Sequence, residues 1–242
     1  MDQFVEIRGP GLKDAQRVVI VIHGMSTTVE SLQKGYPNVD TTLTKVYWHL
    51  PVLRAGKAEL QERRSRDVFR DLFGAVIDKS RHELTQLVRS LGDRPVGIFG
   101  FSIGSLVALW GALDNPSVRA VVTVGGVPSL DYLQHYYETY PWSQPEVQAK
   151  LETYDVTEHA HRFNGVPVLV CHGGEDAVAQ WAWMKPFADA LVRYSPASRV
   201  CQFPHMRHRL LGEDDLENQE LETLRQMADT WFRQHLAVPH DA

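Results

Sequence analysis

The chain is poor in several things that would otherwise decide its class. Its 242 residues hold two cysteines, Cys171 and Cys201, so a disulfide framework is not its source of stability. No block of basic residues stands out and the formal net charge is −5, which argues against nucleic acid as a partner. No apolar run approaches the roughly 20 residues of a membrane span. The opening residues MDQFVEIRGPG lack the basic head and apolar stretch of an export signal. Internal repeats and low-complexity tracts are missing too. Metal-site spacing is equally sparse: H-E-x-x-H is absent, and the pairs His159/His161 and His205/His208 have no third ligand nearby, so no metal is expected. What remains is ordinary globular usage, 43% hydrophobic and 23% charged. The expectation is a soluble, cytoplasmic protein with one domain over residues 1–242, and self-association as a homodimer stays open.

Short β-branched runs are what the chain does have. RVVIVIHG (17–24), TKVYWHL (44–50), PVGIFG (95–100), VRAVVTVGG (118–126), VPVLVCHGG (166–174) and SRVCQF (198–203) read as strands. They are nearly continuous in apolar residues, the pattern of parallel strands covered on both faces. FVEI at 4–7 adds a candidate antiparallel edge. Helical stripes lie between them: Val68, Phe69, Leu72, Phe73, Val76 and Ile77, continued by Leu84, Leu87, Val88 and Leu91, and later Leu221, Leu224, Met227, Trp231 and Phe232. This alternation predicts an α/β fold with a doubly wound, mostly parallel sheet. Residues 127–165 break it. A structureless loop of that length is improbable in a compact domain, so a cap-like set of short helices over one edge is expected there.

The stretch GIFGFSIGSLVALWGAL (97–113) joins a strand to a helix through Gly100, Ser102 and Gly104. With glycine and serine each near 7% of residues, G-x-S-x-G arises by accident in about 8% of chains this long, so its setting must carry the weight. The setting is favourable. A strand that turns abruptly into a helix pushes the turn residue toward positive φ, and its neighbours must lack bulk. The following helix N-terminus then favours developing negative charge. Dinucleotide and P-loop spacings do not fit Gly97, Gly100 and Gly104.

A serine needs a base and a group to orient that base. HGGEDAV delivers Glu175 and Asp176 past one strand end, and FPHMRHRLL delivers His205 and His208 past the next. Ligand sites in parallel sheets lie at those carboxyl ends. IVIHGMSTT (20–28) leaves a third such end, and the backbone N–H groups of Met25 and Ile103 are candidates for stabilising an oxyanion.

HGM, GFSIG, HGGEDAV and FPHMRHRLL together resemble the α/β-hydrolase superfamily over residues 17–236. The likeness is strongest to its bacterial esterase and prolyl-oligopeptidase-like branch, which includes dienelactone-hydrolase-like proteins; YDVTEHAHRFNGVPVLVCHGGED shares that character. The resemblance implies a serine hydrolase of the α/β-hydrolase fold that works without a cofactor. Carried over, it makes Ser102 the nucleophile, His208 the base and Asp176 the orienting acid. Its register prefers His208 to His205 and Asp176 to Glu175. His23 and His172, before glycines at strand ends, read as structural hydrogen bonders.

The expected substrate is a small to medium carboxylic ester. Peptide or thioester cleavage, a non-catalytic ligand-binding role and a cofactor-free haloperoxidase side activity are the alternatives. Tyr132, Tyr136 and Trp142 of the excursion, with Trp48 and His49 opposite, are the expected pocket walls. No positive cluster in the sequence points to a phosphorylated substrate.

Overall fold

A computed structural model describes residues 5–236. Seven strands form one sheet: β1 (Val5–Arg8), β2 (Val18–Ile22), β3 (Thr44–Trp48), β4 (Val96–Phe101), β5 (Val118–Val124), β6 (Val168–Gly173) and β7 (Arg199–Phe203). Their spatial order is β1-β3-β2-β4-β5-β6-β7. Only β1 runs antiparallel, pairing Val5 with Trp48 and Arg8 with Lys45. Phe4, the first residue of the expected edge strand, lies outside the described residues, as do the other three at the start and 237–242 at the end.

The continuous apolar runs are explained by burial on both sides. In β2, Val18, Ile20 and Ile22 join one hydrophobic layer, while Val19 and Val21 join the other. The first layer is completed by α3 (Ala75–Ser90), α4 (Ile103–Asp114) and α7 (Trp181–Tyr194), the second by α1 (Val29–Gly35) and α8 (Asp215–His235). Leu221, Leu224, Trp231 and Phe232 of α8 are buried on that second face. Each such side chain contributes on the order of 1.5–3 kcal/mol over remaining exposed.

Two helical segments depart from the expected stripes. Val68–Gly74 is a π-helical turn that runs into α3, so the stripe expected as one helix is two kinds of helix end to end. Before it lies α2 (Lys57–Arg66), which has no buried residue and no apolar face to announce it. Half-buried Leu60 touches the first layer, and the other anchors are charged: Arg63 donates to the carbonyl oxygen of Asp71, and Arg66 pairs with Asp71. Residues 127–165 carry α5 (Leu133–Tyr136), α6 (Pro145–Glu152) and a 3-10 turn at Thr157–Phe163. Leu133, Val147, Leu151, Tyr154 and Phe163 fasten them to the body.

The chain passes from β2 to β3 on one side, then crosses to β4 on the other. This reversal opens a crevice above the carboxyl ends of β2 and β4, where the sheet geometry favours a ligand site.

Candidate active site

Ser102 occupies the turn between β4 and α4 with φ 56° and ψ −126°, the one positive-φ residue other than glycine among the described residues. Such a backbone persists only where its surroundings hold it. Here they do. A Cβ on Gly100 would stand 2.2 Å from the Gly104 carbonyl oxygen, and a Cβ on Gly104 would stand 2.7 Å from the carbonyl oxygens of Ile22 and His23. Only glycine at both positions lets strand, turn and helix pack this closely. The Ser102 N–H donates to Val124 O at 2.9 Å and the Ser102 carbonyl accepts from the Ser105 N–H at 2.9 Å, which fixes the turn from both ends.

Three chain segments meet at this serine. His208 Nε2 lies 2.9 Å from Ser102 Oγ, and His208 Nδ1 lies 2.8 Å from Asp176 Oδ2. An ionised carboxylate only accepts, so Nδ1 carries the proton and Nε2 presents its lone pair to the serine hydroxyl. Asp176 is buried, and its other oxygen accepts the N–H groups of Val178 at 2.9 Å and Ala179 at 2.7 Å. His172 donates from Nε2 to Ala179 O at 2.6 Å and so closes the same turn. Gly125, at φ 51°, lies beneath the pair: a Cβ there would come within 3.0 Å of Asp176 Oδ2 and 3.3 Å of His208 Nδ1.

Glu217 holds the histidine loop. Fully buried in the first turn of α8, it accepts the N–H of Arg207 at 3.1 Å on one oxygen and that of Glu213 at 3.0 Å on the other. His205, the rival histidine, is exposed, stands 3.8 Å from Glu175 and is not drawn toward Ser102. Glu175 pairs with Arg207.

His23 performs the corresponding task for the loop after β2. It is 1% exposed; Nδ1–H donates to Gly24 O at 2.7 Å and Nε2 accepts the Leu50 N–H at 3.1 Å. Both bonds need a neutral ring, and burial pulls its pKa down to about 4. Gly24 then approaches Ser102 so closely that a Cβ would meet the serine Cβ at 2.8 Å. Met25 follows and lines the cavity, while Ile103 is buried as the first residue of α4, where helix N–H groups have no intrahelical acceptor.

The cavity above Ser102 and His208 measures ≈ 650 Å³. Of the expected walls, Tyr132 and Tyr136 line it. Three others do not. Trp48, at the end of β3, is 2% exposed within the core because β3 is covered on both faces. His49 is half-buried behind His23, with ring centroids 4.9 Å apart, and its carbonyl accepts from Arg54. Trp142 packs 5.5 Å from Phe69, and its indole N–H donates to Tyr137 O at 2.8 Å, so it supports the wall from behind. The wall includes Phe73, Tyr137, Val178, Leu210 and Leu211, none of which the sequence reading placed there. Leu210 and Leu211 had a usable signal in following His208 by two and three residues. Arg64 and Arg209 line the cavity as well, a pair of cations that only the folded chain assembles. Among the described residues no cluster of His, Cys, Asp or Glu is arranged to hold a metal ion.

Solved structures with this architecture are abundant. The Thermus thermophilus protein TT1662 aligns with a TM-score of 0.69 at 19% identity, over 94% of this chain and 93% of its own. A dienelactone hydrolase from Anabaena variabilis aligns with a TM-score of 0.59 at 21% identity, over 96% and 92%. A puromycin-hydrolyzing peptidase of Mycobacterium tuberculosis gives a TM-score of 0.67 at 16% identity; 96% of this chain matches 37% of that one. These likenesses establish the α/β-hydrolase fold. No curated protein matches the sequence. The family model of the prolyl oligopeptidase family matches residues 82–238, a span holding Ser102, Asp176 and His208, and the chain belongs to that family of serine hydrolases.

Proposed function

We propose that this serine hydrolase cleaves small to medium carboxylic esters through an acyl-enzyme formed on Ser102. The observation that most supports the reading is the pair of contacts at 2.9 and 2.8 Å running from Ser102 Oγ through His208 to Asp176. In the first half-reaction His208 Nε2 accepts the hydroxyl proton as Oγ attacks the ester carbonyl. The backbone N–H groups of Met25 and Ile103 receive the oxyanion. The imidazolium then gives its proton to the departing alcohol. Asp176 stabilises the imidazolium and stays ionised. In the second half-reaction His208 takes a proton from a water that attacks the acyl carbonyl and returns it to Ser102 Oγ as the acyl–Oγ bond breaks and the carboxylic acid leaves. No step calls for a cofactor.

We treat the chain as a single domain in which residues 127–165 form a small cap, since Tyr132, Leu133, Tyr136 and Tyr137 reach the cavity from there. The three tyrosine rings and Leu133 exclude water from the acyl-enzyme side, while the phenol hydroxyls leave polar tips at the rim. Peptide cleavage on the same machinery is the second reading. The family itself favours it, together with a structural neighbour named as a peptidase.

The test is covalent. An alkyl fluorophosphonate is expected to label Ser102, and Ser102→Ala is expected to lose both labelling and ester turnover. A label on another residue, or turnover retained by the alanine variant, overturns the assignment. Parallel rates on matched ester, thioester and peptide amide substrates separate the two readings.

A further inference from the structure

Charge in the cavity runs opposite to charge on the whole chain. The formal net charge is −5, yet the described residues lining the cavity include Arg64 and Arg209 and no Asp or Glu. The two arginines are not equivalent. Arg209 is held by Glu213 and Glu217, so its guanidinium is already matched. Arg64 makes neither a hydrogen bond nor an ion pair with a described residue; its one close partner is the face of Tyr137, 5.5 Å from ring centroid to guanidinium carbon.

Its neighbours make the contrast sharp. Arg63 is paired with Glu59, Arg66 with Asp71, and Arg70 lies 3.7 Å from Glu146. On this acidic protein the arginines around Arg64 have found carboxylates, and the one that turns to the cavity has not. Tyr137, which it faces, is itself fixed from behind by the Trp142 indole on its carbonyl. A guanidinium resting on an aromatic face keeps its in-plane N–H groups free for a bidentate acceptor.

We propose that Arg64 is a specificity determinant that selects substrates bearing a carboxylate remote from the scissile ester, such as half-esters of dicarboxylic acids. The proposal rests on Ser102 being the nucleophile and deepens that reading by naming the substrate's charge. A cation fares worse in this cavity. Among the described residues no carboxylate lines it to receive the free α-ammonium of a peptide, which sets unblocked peptides at a disadvantage against anionic esters. Because Arg64 is exposed, its effect is modest: an exposed arginine–carboxylate pair is worth up to about fivefold and weakens with salt.

Two fluorophosphonates of equal chain length, one ending in methyl and one in carboxylate, give the primary test through their rates of labelling Ser102. The wild type is expected to react about three- to fivefold faster with the carboxylate probe at low ionic strength. Arg64→Gln brings the two rates level, and Arg64→Glu favours the neutral probe. The ratio of the two rates is read within each protein, and an unchanged melting temperature shows that the fold is intact. The kcat/KM values for p-nitrophenyl hexanoate and mono-p-nitrophenyl adipate are expected to follow the same order. Equal rates in the wild type, or an anion preference that survives Arg64→Glu, overturn the role of Arg64 while leaving Ser102 standing. Failure of both probes to label Ser102 overturns the nucleophile and the inference with it.

Discussion

Asp176, at the carboxyl edge of the sheet, gathers the His208 imidazole and, through it, the Ser102 hydroxyl. Asp229, on α8, gathers the Lys45 ammonium at 2.9 Å and the Tyr36 hydroxyl at 2.6 Å. Each cluster thus joins a buried carboxylate, a nitrogen base and a hydroxyl. They differ in where the hydroxyl's proton can go. Ser102 donates to a lone pair that can take the proton, beside a cavity where charge can develop. Tyr36 donates to a carboxylate already engaged by Lys45, and burial raises its pKa well above the usual phenol value. Lys45 also donates to Pro37 O at 2.8 Å and sits 3.4 Å from the centroid of the Tyr36 ring, with no side-chain exposure. Tyr47 closes the set by donating to Tyr36 O at 2.6 Å. Lys45, Tyr36 and Tyr47 all donate within the core, and none of them lines the cavity above Ser102. Similar groups suit the proposed chemistry in one place and cohesion in the other, according to whether a free lone pair meets a cavity.

That contrast breaks most visibly when each carboxylate is neutralised. Asp176→Asn reverses the preferred histidine tautomer and is expected to lower kcat by about 10⁴, with melting temperature little changed. Asp229→Asn should do the reverse. Leaving the Lys45 charge unpaired in the interior costs on the order of 3–5 kcal/mol, a melting point lower by roughly 10 °C, while kcat/KM below that temperature holds within threefold. Replacing the cluster together, as Lys45→Met, Asp229→Leu and Tyr36→Phe, should regain most of the loss, because apolar groups of similar volume need no desolvated charge. Calorimetry and ester kinetics on the four proteins decide the matter. An unstable Asp176→Asn, or an inactive but stable Asp229→Asn, would erase the distinction.

The next effect concerns pH. His23 has a pKa of about 4 in the folded protein, pulled down chiefly by burial, against 6.5 when unfolded. Between those values the unfolded chain binds a proton that the folded chain refuses. Its contribution is therefore complete above pH 6.5 and lost as pH falls toward 4, by up to about 3 kcal/mol. Urea titrations at steps from pH 7 to 4 should show this slope in the wild type, flattened by that amount in His23→Asn. Parallel slopes in the two proteins would remove His23 from the account.

How much of this was legible in the sequence follows from the range over which each interaction acts. Strands covered on both faces are apolar at most positions, so β2 through β6 announce themselves within single short windows. The elbow is equally local, since Gly100 and Gly104 are demanded by contacts within a few residues and with the adjoining strand. The meeting of Asp176 and His208 with Ser102 could be anticipated because each follows its strand by a short turn. The walls could not. Trp48 and Trp142 carry the apolar character of pocket residues but equally that of core, and packing placed both behind the cavity. Arg64 reaches Tyr137 from a helix with no apolar stripe. Lys45 sits in a strand run whose sequence gives no hint that its partner lies on the last helix. Long-range pairing of charged groups leaves no local pattern in the sequence.

The smallest expected effect tests whether the active cluster also depends on a sealed group of its own. Glu217 is as buried as Lys45, yet its carboxylate serves the loop that carries His208, accepting backbone N–H groups from Arg207 and Glu213 on either side of it. Glu217→Gln keeps the shape but offers one acceptor oxygen in place of two and sets an NH₂ against a backbone donor. The charge-assisted bonds thereby lost are worth about 1–3 kcal/mol to folding. Catalysis feels only the part of that loosening that moves His208 away from Ser102, a fall in kcat of roughly tenfold or less, since geometry of this kind is worth more than its bond count suggests. The separating readout is the kcat against KM split: a loop effect lowers kcat for neutral and anionic esters alike and leaves KM unchanged. If KM rises selectively for the carboxylate-bearing ester, Glu217 acts instead through Arg209, whose Nε lies 3.5 Å from it, and the loop-anchoring account fails.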